Sequence, residues 1–526
     1  MLNRAWVYHA PMKRVLLCCL LPGLIAAMVL PPAGPGKRTI AKEALLDKIK
    51  GGWAGQIFGV VYGAPTEFRA RGATYDAERV GTPAELKGAL NQDDLYVEMT
   101  LAEVMDRYGL DATAQEYGEA FRDSKYALWH ANLAGRRNLG RGIMPPQSGH
   151  PRYNAHANDI DFQIEADFIG LMAPGLPRAV QLYGDRIGHV MNYGDGVYGG
   201  IFIGAMYSAA FFETDPRKVV EAGLGAIPAQ SGYAAVIRDL LAWHQEEPRD
   251  WRAAWKRLED KWDRDDPCPE GALTPFNIDA RLNGAFVALG LLYGEKDFDK
   301  TIEIAARAGQ DSDCNPASAG GILGVMLGYQ ALPSRWVEAL LPIAGEKFNY
   351  TTFSYDSIVA STLSRAAALV AHNGGKVTAE GFEIPVQKPS AMKLEQWDPG
   401  RPAESVLVTD ARWQWKGEWK REEQKSVSAG SDTAGSEAEI SFEGTGAMVV
   451  GAYRDDGGYL EVYLDGKKVA DTDGFVAAGN RAHESLWHAD NLRPGKHTLR
   501  LVVTGKRYAR SKGAWVYLHR LVIFRR

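Results

Sequence analysis

Cysteine is scarce in this chain of 526 residues, which contains only four. Cys18 and Cys19 fall in an apolar run near the N-terminus, which leaves Cys268 and Cys314 for the rest of the chain. Two cysteines cannot build the dense disulfide framework that stabilises small secreted domains. The sequence therefore excludes a disulfide-rich scaffold, and it leaves open whether Cys268 and Cys314 pair.

A surplus of positive charge is also absent. The 60 Lys and Arg residues face 65 Asp and Glu residues, for a formal net charge of −5. Proteins that recognise phosphate backbones usually show a basic surplus, so we expect no nucleic-acid partner. Apolar residues make up 46% of the chain and charged residues 24%, which is ordinary for a globular protein.

Long apolar runs are missing after the N-terminus, so we expect no membrane span in the mature chain. Residues 15–30 form an apolar run that follows Lys13 and Arg14 and precedes small residues and prolines. This order is typical of a secretory signal peptide. We predict a signal peptide at residues 1–36 and a secreted or periplasmic protein, with a membrane anchor as the alternative.

Strand patterns are scarce in the first three quarters of the chain, where Ala- and Leu-rich segments such as Ile278–Tyr293 predict helices. Near the C-terminus, alternating runs such as Tyr459–Leu464, followed by Asp465-Gly466, predict strands and hairpins. The predicted architecture is multidomain: an all-α domain at 37–384, a linker at 385–403 and an all-β sandwich of jelly-roll type at 404–526.

Glycines recur at every fourth position in two segments that are predicted to be helical. They are Gly51, Gly55, Gly59 and Gly63 in the first segment, and Gly320, Gly324 and Gly328 in the second. Each glycine lowers helix stability by roughly 1 kcal/mol, so a compensating gain is implied. We expect close approach between helices at these glycine faces.

Common catalytic signatures are absent too. We find no Walker loop, dinucleotide fingerprint or Ser–His–Asp order. The histidines have no ligand spacing, which favours core or surface roles over a zinc site. They include His130, His150, His156 and His189.

Two acidic clusters are present instead, Asn91–Glu98 and Gly309–Pro316, more than 200 positions apart. Adjacent carboxylates repel each other, so their approach needs a helix N-terminus, a cation or a raised pKa. Divalent cations prefer such oxygen ligands. Taken alone, each cluster is more often a solvated helix start.

In the second cluster Asn315 predicts a helix cap. Pro316 stands where an EF-hand calcium loop needs glycine, which excludes such a loop here.

Across residues 42–345 the chain resembles the ADP-ribosylglycohydrolases. Four blocks carry the resemblance in the expected order. They are a glycine-rich helix ending in a glutamate at Gly51–Glu67, an acidic doublet at Gln92–Leu95, a helix at Asn283–Tyr293 and an Asp-x-Asp block at Gln310–Cys314.

The resemblance implies an all-α fold in which both acidic clusters hold two divalent cations, Mg²⁺ or Mn²⁺. It implies metal ligands among Gln92, Asp93, Asp94, Asp311, Asp313 and Cys314. It implies catalytic roles for Asp94, Asp311 and Glu67, with Glu67 near the attacking water or the scissile bond. Two cations can activate water and orient sugar hydroxyls, while carboxylates stabilise an oxocarbenium-like transition state.

The chain also departs from the family pattern. Gln92 and Leu95 replace hydroxyl-bearing residues of the family, Cys314 replaces Thr or Ser, and Gln56 stands where relatives have Asp. A thiol favours softer ions, so Zn²⁺ remains an option. These departures leave the substrate open.

Polar residues in the middle of the chain are candidates for substrate binding. Asp161 and Glu165 are four positions apart and share a helical face with Asn158 nearby, and Asp195 lies in a glycine-flanked loop. The competing interpretation of Asn158, Asp161 and Glu165 is a helix start with solvated charges. The competing interpretation of Asp195 is an ordinary turn.

The predicted function is an exported, metal-dependent hydrolase that cleaves a glycosidic or N-glycosidic bond of a ribosyl or other sugar substrate. ADP-ribosyl-protein hydrolysis and non-catalytic glycan binding are the alternatives. The expected partner is a sugar-containing small molecule or glycan. The sequence does not determine the leaving group, the anomer or the oligomeric state.

Overall fold

A computed structural model describes residues 36–263, 266–422, 428–477 and 479–526. The predicted signal peptide lies outside the described residues except for Gly36, so it stays a prediction. Within the described ranges, no helix combines the length and the apolar character needed to cross a bilayer.

The N-terminal part is helical, as predicted. The helices are Lys42–Gly63 (α1), Asp93–Tyr108 (α2), Ala114–Asp123 (α3), His130–Gly140 (α4), Asp161–Ile164 (α5), Asp167–Leu171 (α6), Pro177–Gly188 (α7), Asp195–Ala210 (α8), Pro216–Ala226 (α9), Gly232–Glu246 (α10), Trp251–Trp262 (α11), Ala280–Tyr293 (α12), Phe298–Arg307 (α13), Cys314–Leu327 (α14), Ser334–Leu340 (α15) and Tyr355–His372 (α16).

The central helices of this domain are α8, α12 and α14, which are apolar on nearly all sides and almost completely buried. Helices of this kind need neighbours all around them. The amphipathic helices α3, α7, α11 and α13 lie around them and turn most of their charged residues toward solvent, although Glu259 of α11 is buried.

Helices α1 and α14 pack backbone to backbone through their glycines, which confirms the predicted close approach. A Cβ atom placed on Gly55 would lie 2.1 Å from the carbonyl oxygen of Gly320. A Cβ atom on Gly51 would lie 2.2 Å from the carbonyl oxygen of Gly324, and a Cβ atom on Gly63 would lie 1.9 Å from the carbonyl oxygen of Ser312. This contact fixes the loop that enters α14 against the end of α1.

The strands are Lys37–Ala41 (β1), Lys376–Val377 (β2), Gly381–Pro385 (β3), Arg401–Leu407 (β4), Gln414–Lys416 (β5), Lys420–Glu422 (β6), Ser428–Ser431 (β7), Glu437–Gly444 (β8), Gly446–Tyr453 (β9), Gly458–Leu464 (β10), Lys467–Asp473 (β11), Arg481–Ala489 (β12), Gly495–Arg507 (β13) and Val516–Arg525 (β14). The first three form a small sheet in the order β1-β3-β2 beside the helices, which the sequence did not predict.

The C-terminal domain consists of two antiparallel sheets. One has the order β11-β10-β13-β8-β5, and the other has the order β12-β9-β14-β7-β6 with β4 paired to β14. Strands β10 and β11 meet at Asp465-Gly466, where both φ angles are positive, as the sequence predicted for a hairpin. Strand β9 is buried along its whole length. Trp413 is buried, and its ring lies 5.6 Å from that of Trp415.

Between the two domains, residues 386–400 contain neither helix nor strand and contact the helical domain. Glu395 is hydrogen-bonded to His189 at 2.9 Å, and Ser390 donates its N–H to Gln181 at 2.8 Å. Strand β4 begins inside the predicted linker at Arg401, and the domain boundaries remain a prediction. The segment wraps along the helices.

Candidate metal centre

Three chain segments bring the predicted acidic residues together. Glu67 follows α1, Asp93 and Asp94 begin α2, and Asp311 and Asp313 lie in the loop that enters α14. Because the glycine contact joins the end of α1 to the start of α14, Glu67 is held beside that loop. The two acidic clusters, distant in the sequence, therefore meet in space.

Asp313 is common to two groups of potential metal ligands. Its carboxylate lies within 4.8 Å of ligand atoms of Asp94 and Cys314, and within 4.8 Å of those of Glu67 and Asp311. A shared carboxylate is a common way to hold two divalent cations about 4 Å apart. Gln92 and Asp93 line the cavity beside these groups.

Asp313 is also the cap of α14: its carboxylate accepts a hydrogen bond from the backbone N–H of Cys314 at 3.1 Å. The sequence prediction of Asn315 as the cap was therefore wrong. The helix begins two residues before Pro316, which fits because proline is tolerated in the first helical turn. The earlier start brings Cys314 into the helix and toward the acidic groups.

Burial and mutual repulsion raise the pKa of these carboxyl groups. Burial, followed by the charge of Asp313, holds the pKa of Asp94 and of Asp311 well above the usual range and raises that of Asp93 to about 6. Glu67 is more exposed, yet its loss of hydration in the cavity and the charges of Asp313 and Asp93 raise its pKa to about 8. Bound cations would relieve this repulsion.

Asp94 fits the role of a metal ligand particularly well. Its carboxylate is 1% exposed, and neither oxygen accepts a hydrogen bond from the described residues. Buried carboxylates without donors are rare because the cost of removing them from water is large. A cation would satisfy both oxygens, so the donor set of this site suits oxygen-preferring divalent ions.

Polar residues behind the acidic groups fix their positions, a role that the sequence did not predict for them. Asn283 accepts hydrogen bonds from the backbone N–H of Asp311 at 3.3 Å and from the amide of Asn315 at 3.0 Å. Gln56 donates to Glu98 at 2.6 Å, so the residue that departs from the family pattern is a core partner of α2. The four-residue spacing of Asp94 and Glu98 on α2 was the available signal.

The acidic residues open into a cavity of about 580 Å³. Aromatic side chains line it: Phe68, Tyr96, Trp129, Phe276 and Tyr350. Arg71 stacks over the ring of Phe276 at 5.0 Å, and His130 lies 3.8 Å from Glu270 on the wall. The cavity therefore combines flat apolar surfaces with charged groups, a mixture that suits a small polar ligand with rings.

Of the predicted substrate-binding residues, Asp161 belongs to this wall and Glu165 lies behind it. Asp161 lines the cavity and caps α4, since its oxygens accept from the N–H groups of Ala131 at 3.2 Å and Asn132 at 2.9 Å. The Asn132 side chain lines the cavity as well and donates to Glu165 behind it. Burial and the charge of Asp161 hold the pKa of Glu165 well above its usual range.

The other two, Asn158 and Asp195, lie elsewhere. Both line a second cavity of about 710 Å³, which also includes Arg281 and Trp397. Asp195 accepts the N–H of Tyr233 at 3.1 Å, and its other oxygen lies 4.0 Å from Arg281. The two cysteines do not pair, since Cys268 and Cys314 are both free and buried.

The helical part of the chain matches a known protein family. A family model described as ADP-ribosylglycohydrolase matches residues 41–373. Among solved structures, the chain is similar to an "ADP-ribosylglycohydrolase-related protein complex", with 16% identity, a TM-score of 0.39 and coverage of 62% of this chain and 98% of that one.

The chain is also similar to the CBM36-1 domain of a multidomain xylanase from the hindgut metagenome of Trinervitermes trinervoides, with 14% identity, a TM-score of 0.17 and coverage of 23% and 94%. It is similar to a family two carbohydrate esterase from Cellvibrio japonicus as well, with 15% identity, a TM-score of 0.18 and coverage of 23% and 32%. No curated protein matches the chain.

Proposed function

The chain belongs to the ADP-ribosylglycohydrolase family, and from that premise we propose that it is an exported, divalent-metal-dependent hydrolase. The bond cleaved is a glycosidic or N-glycosidic bond of a ribosyl or other sugar substrate. The proposed metal ligands are Gln92, Asp93, Asp94, Asp311, Asp313 and Cys314.

The observation that carries this proposal is the position of Asp313 between two ligand groups, next to the unsatisfied carboxylate of Asp94. Divalent cations bound there would supply the positive charge that activates water and orients sugar hydroxyls. Buried carboxylates of like charge destabilise the fold when no cation neutralises them, so bound cations would offset that cost.

The residues around the centre have distinct tasks in this proposal. Glu67 faces the cavity, where a carboxyl group can exchange a proton with water or with the leaving group. Asp161 and Asn132 offer polar contacts for sugar hydroxyls on the same wall. Trp129 and Tyr350 are 42% and 60% exposed and provide surfaces on which a ring can stack.

The test is hydrolysis by the purified chain from Lys37 onward, with Mg²⁺, Mn²⁺, Zn²⁺ or EDTA. The substrate panel contains ADP-ribosyl-arginine, ADP-ribosyl-serine, nucleosides and aryl glycosides. We expect release from one substrate class that EDTA abolishes and one cation restores. EDTA-insensitive hydrolysis would contradict the metal-dependent reaction. Calorimetric sugar binding without turnover on any substrate would support the glycan-binding alternative.

A further inference from the structure

A second cluster of metal-ligating side chains lies outside the cavity. His156, Asp159 and Cys268 are buried, and their ligand atoms all lie within 4.8 Å of one another. The Nδ1 atom of His156 lies 2.7 Å from Asp159 Oδ2 and 3.6 Å from Cys268 Sγ. The sequence favoured a core or surface role for His156, because the histidines have no ligand spacing. The structure instead brings Cys268, 112 positions away, next to it.

The distances agree with the geometry of a zinc site. Tetrahedral zinc with ordinary Zn–S and Zn–N bonds places the sulfur and nitrogen ligands about 3.6 Å apart. That is the separation of Cys268 Sγ and His156 Nδ1. The His156–Asp159 pair is closer than the roughly 3.3 Å of two zinc ligands, as expected when a shared proton occupies the position of the ion.

The other ring nitrogen of His156, Nε2, lies next to a carboxylate, as is common for histidines that bind metal ions. Its Nε2 atom lies 3.1 Å from the carboxylate of Glu484, which belongs to strand β12 of the C-terminal domain. A carboxylate in this position orients the ring and makes the opposite nitrogen a better ligand. The contact also links the cluster to both domains.

A further buried carboxylate, that of Asp266, is hydrogen-bonded to the backbone beside the cluster. Asp266 uses one oxygen to accept the N–H of Cys268 at 2.8 Å, while its Oδ2 is buried without a hydrogen bond from the described residues. None of the four side chains lines the cavity of the acidic centre. Burial, followed by the charge of Asp159, holds the pKa of the Cys268 thiol well above its usual range, which is unsuitable for a nucleophile.

We propose that His156, Asp159 and Cys268 bind a structural Zn²⁺ ion, with Asp266 beside them, and that this ion joins the helical domain to the C-terminal domain through Glu484. The site is separate from the acidic centre and does not depend on the proposed hydrolase reaction. Its ligands are a thiolate, an imidazole and a carboxylate, which favour Zn²⁺ over Mg²⁺ or Ca²⁺.

The test uses Co²⁺ as a spectroscopic probe in the purified chain from Lys37 onward. The Cys314→Ser variant contains Cys268 as its single thiol, so a thiolate-to-cobalt charge-transfer band must arise from the proposed site. We expect this band in Cys314→Ser. When Asp93 and Asp311 are also changed to Asn, we expect the protein to retain one zinc per chain after gel filtration. A missing band in Cys314→Ser would overturn the proposal.

Two further variants assign the ligands. Cys268→Ser should lose the band while Cys314 is intact, and Asp159→Asn should keep the thiol but lower Zn²⁺ affinity at least about 10-fold. With Asp93 and Asp311 changed to Asn, so that the acidic centre is disabled, the Tm should still rise with added Zn²⁺, and Cys268→Ser in the same background should abolish that rise. A band that survives in Cys268→Ser would assign the thiolate ligand to Cys314 instead. Hydrolysis assays report on the acidic centre independently.

Discussion

At the scale of single residues, we predict that Asp94 has opposite effects on stability and on the proposed reaction. Its buried carboxylate lies beside Asp313, Asp93 and the Cys314 thiol, and no N–H or O–H group of the described residues donates to it. In EDTA, Asp94→Asn should therefore raise the free energy of unfolding by about 1–3 kcal/mol, because a buried charge is removed. The same change should lower metal-dependent hydrolysis at least about 100-fold.

Thermal unfolding with and without cation, together with initial rates, measures both effects. Asp111→Asn is the matched control, since Asp111 is exposed in the loop after α2. It should change neither Tm nor rate. A lower Tm of Asp94→Asn in EDTA would show that the carboxylate has a stabilising partner in the apo protein.

Asn283 illustrates how a residue without contact to the substrate can affect the centre. Its carbonyl oxygen accepts from Asp311 N–H and from the Asn315 amide. Asn283→Ala leaves both donors unsatisfied and frees the loop that carries Asp311, so cation affinity should fall about 10- to 100-fold. Isothermal titration with Mn²⁺ measures this. Unchanged affinity would mean that the α1–α14 contact alone holds the loop.

At the scale of elements, the α1–α14 contact is the main determinant of the site. Gly55→Ala would place a methyl group 2.1 Å from the carbonyl oxygen of Gly320, so the helices must separate. We expect a loss of roughly 1–3 kcal/mol in stability and weaker cation binding, because Glu67 and Asp313 lie at the ends of these helices.

Gly225→Ala in α9 is the matched control. It is the same substitution in a helix, and no heavy atom lies within 4 Å of the added Cβ. It should stabilise the protein by about 0.5–1 kcal/mol through helix propensity alone. Chemical denaturation measures the free energy of unfolding of both variants. Similar changes in the two would contradict the packing argument.

This contact also explains how much the sequence could predict. The four-residue glycine spacing indicated close helices, because that signal is local in sequence. The shared centre of the two acidic clusters was implied by the family resemblance and not by either cluster alone. Asn158 and Asp195 were placed beside that centre, but the turns around α5 and α8 direct them to another cavity. Of the partners of His156, Asp159 is three positions away, but Cys268 and Glu484 lie on two distant segments that no local pattern links to it.

At the scale of the whole molecule, the C-terminal domain reaches the rim of the cavity. Arg481 of β12 lies 4.8 Å from the ring of Trp129 and donates to the carbonyl of Leu128 at 3.2 Å. Arg481→Ala should free Trp129 and raise KM about two- to fivefold with kcat unchanged, as expected from the loss of one cation–π contact.

Steady-state kinetics on the preferred substrate measures this change. Arg500→Ala is the control, since Arg500 stacks on Tyr463 at 4.1 Å within the C-terminal domain and does not line the cavity. A fall in kcat for Arg481→Ala would instead indicate that the domain contact positions the acidic centre.

The same domain contact contains a buried ion pair that should make docking sensitive to acid. Asp473 of β11 is hydrogen-bonded by Arg141 at 2.6 Å and by Arg137 at 3.4 Å, and its side chain is 7% exposed. Burial alone would raise the pKa of Asp473, but the two guanidinium groups hold it below its usual range. A depressed pKa means that the stabilisation is complete above the usual pKa of an aspartate and is lost as the pH falls through the pKa of the folded state.

Asp473→Asn leaves both arginines without their counterion and should lower the free energy of unfolding at pH 7 by about 3 kcal/mol. The difference from the parent protein should shrink toward zero as the pH approaches the folded pKa. Asp455→Asn in the exposed pair with Lys512 is the control and should have no measurable effect. Urea unfolding of the three proteins across acidic and neutral pH measures these differences. A pH-independent loss in Asp473→Asn would show that the arginines need a hydrogen-bond acceptor there rather than a negative charge.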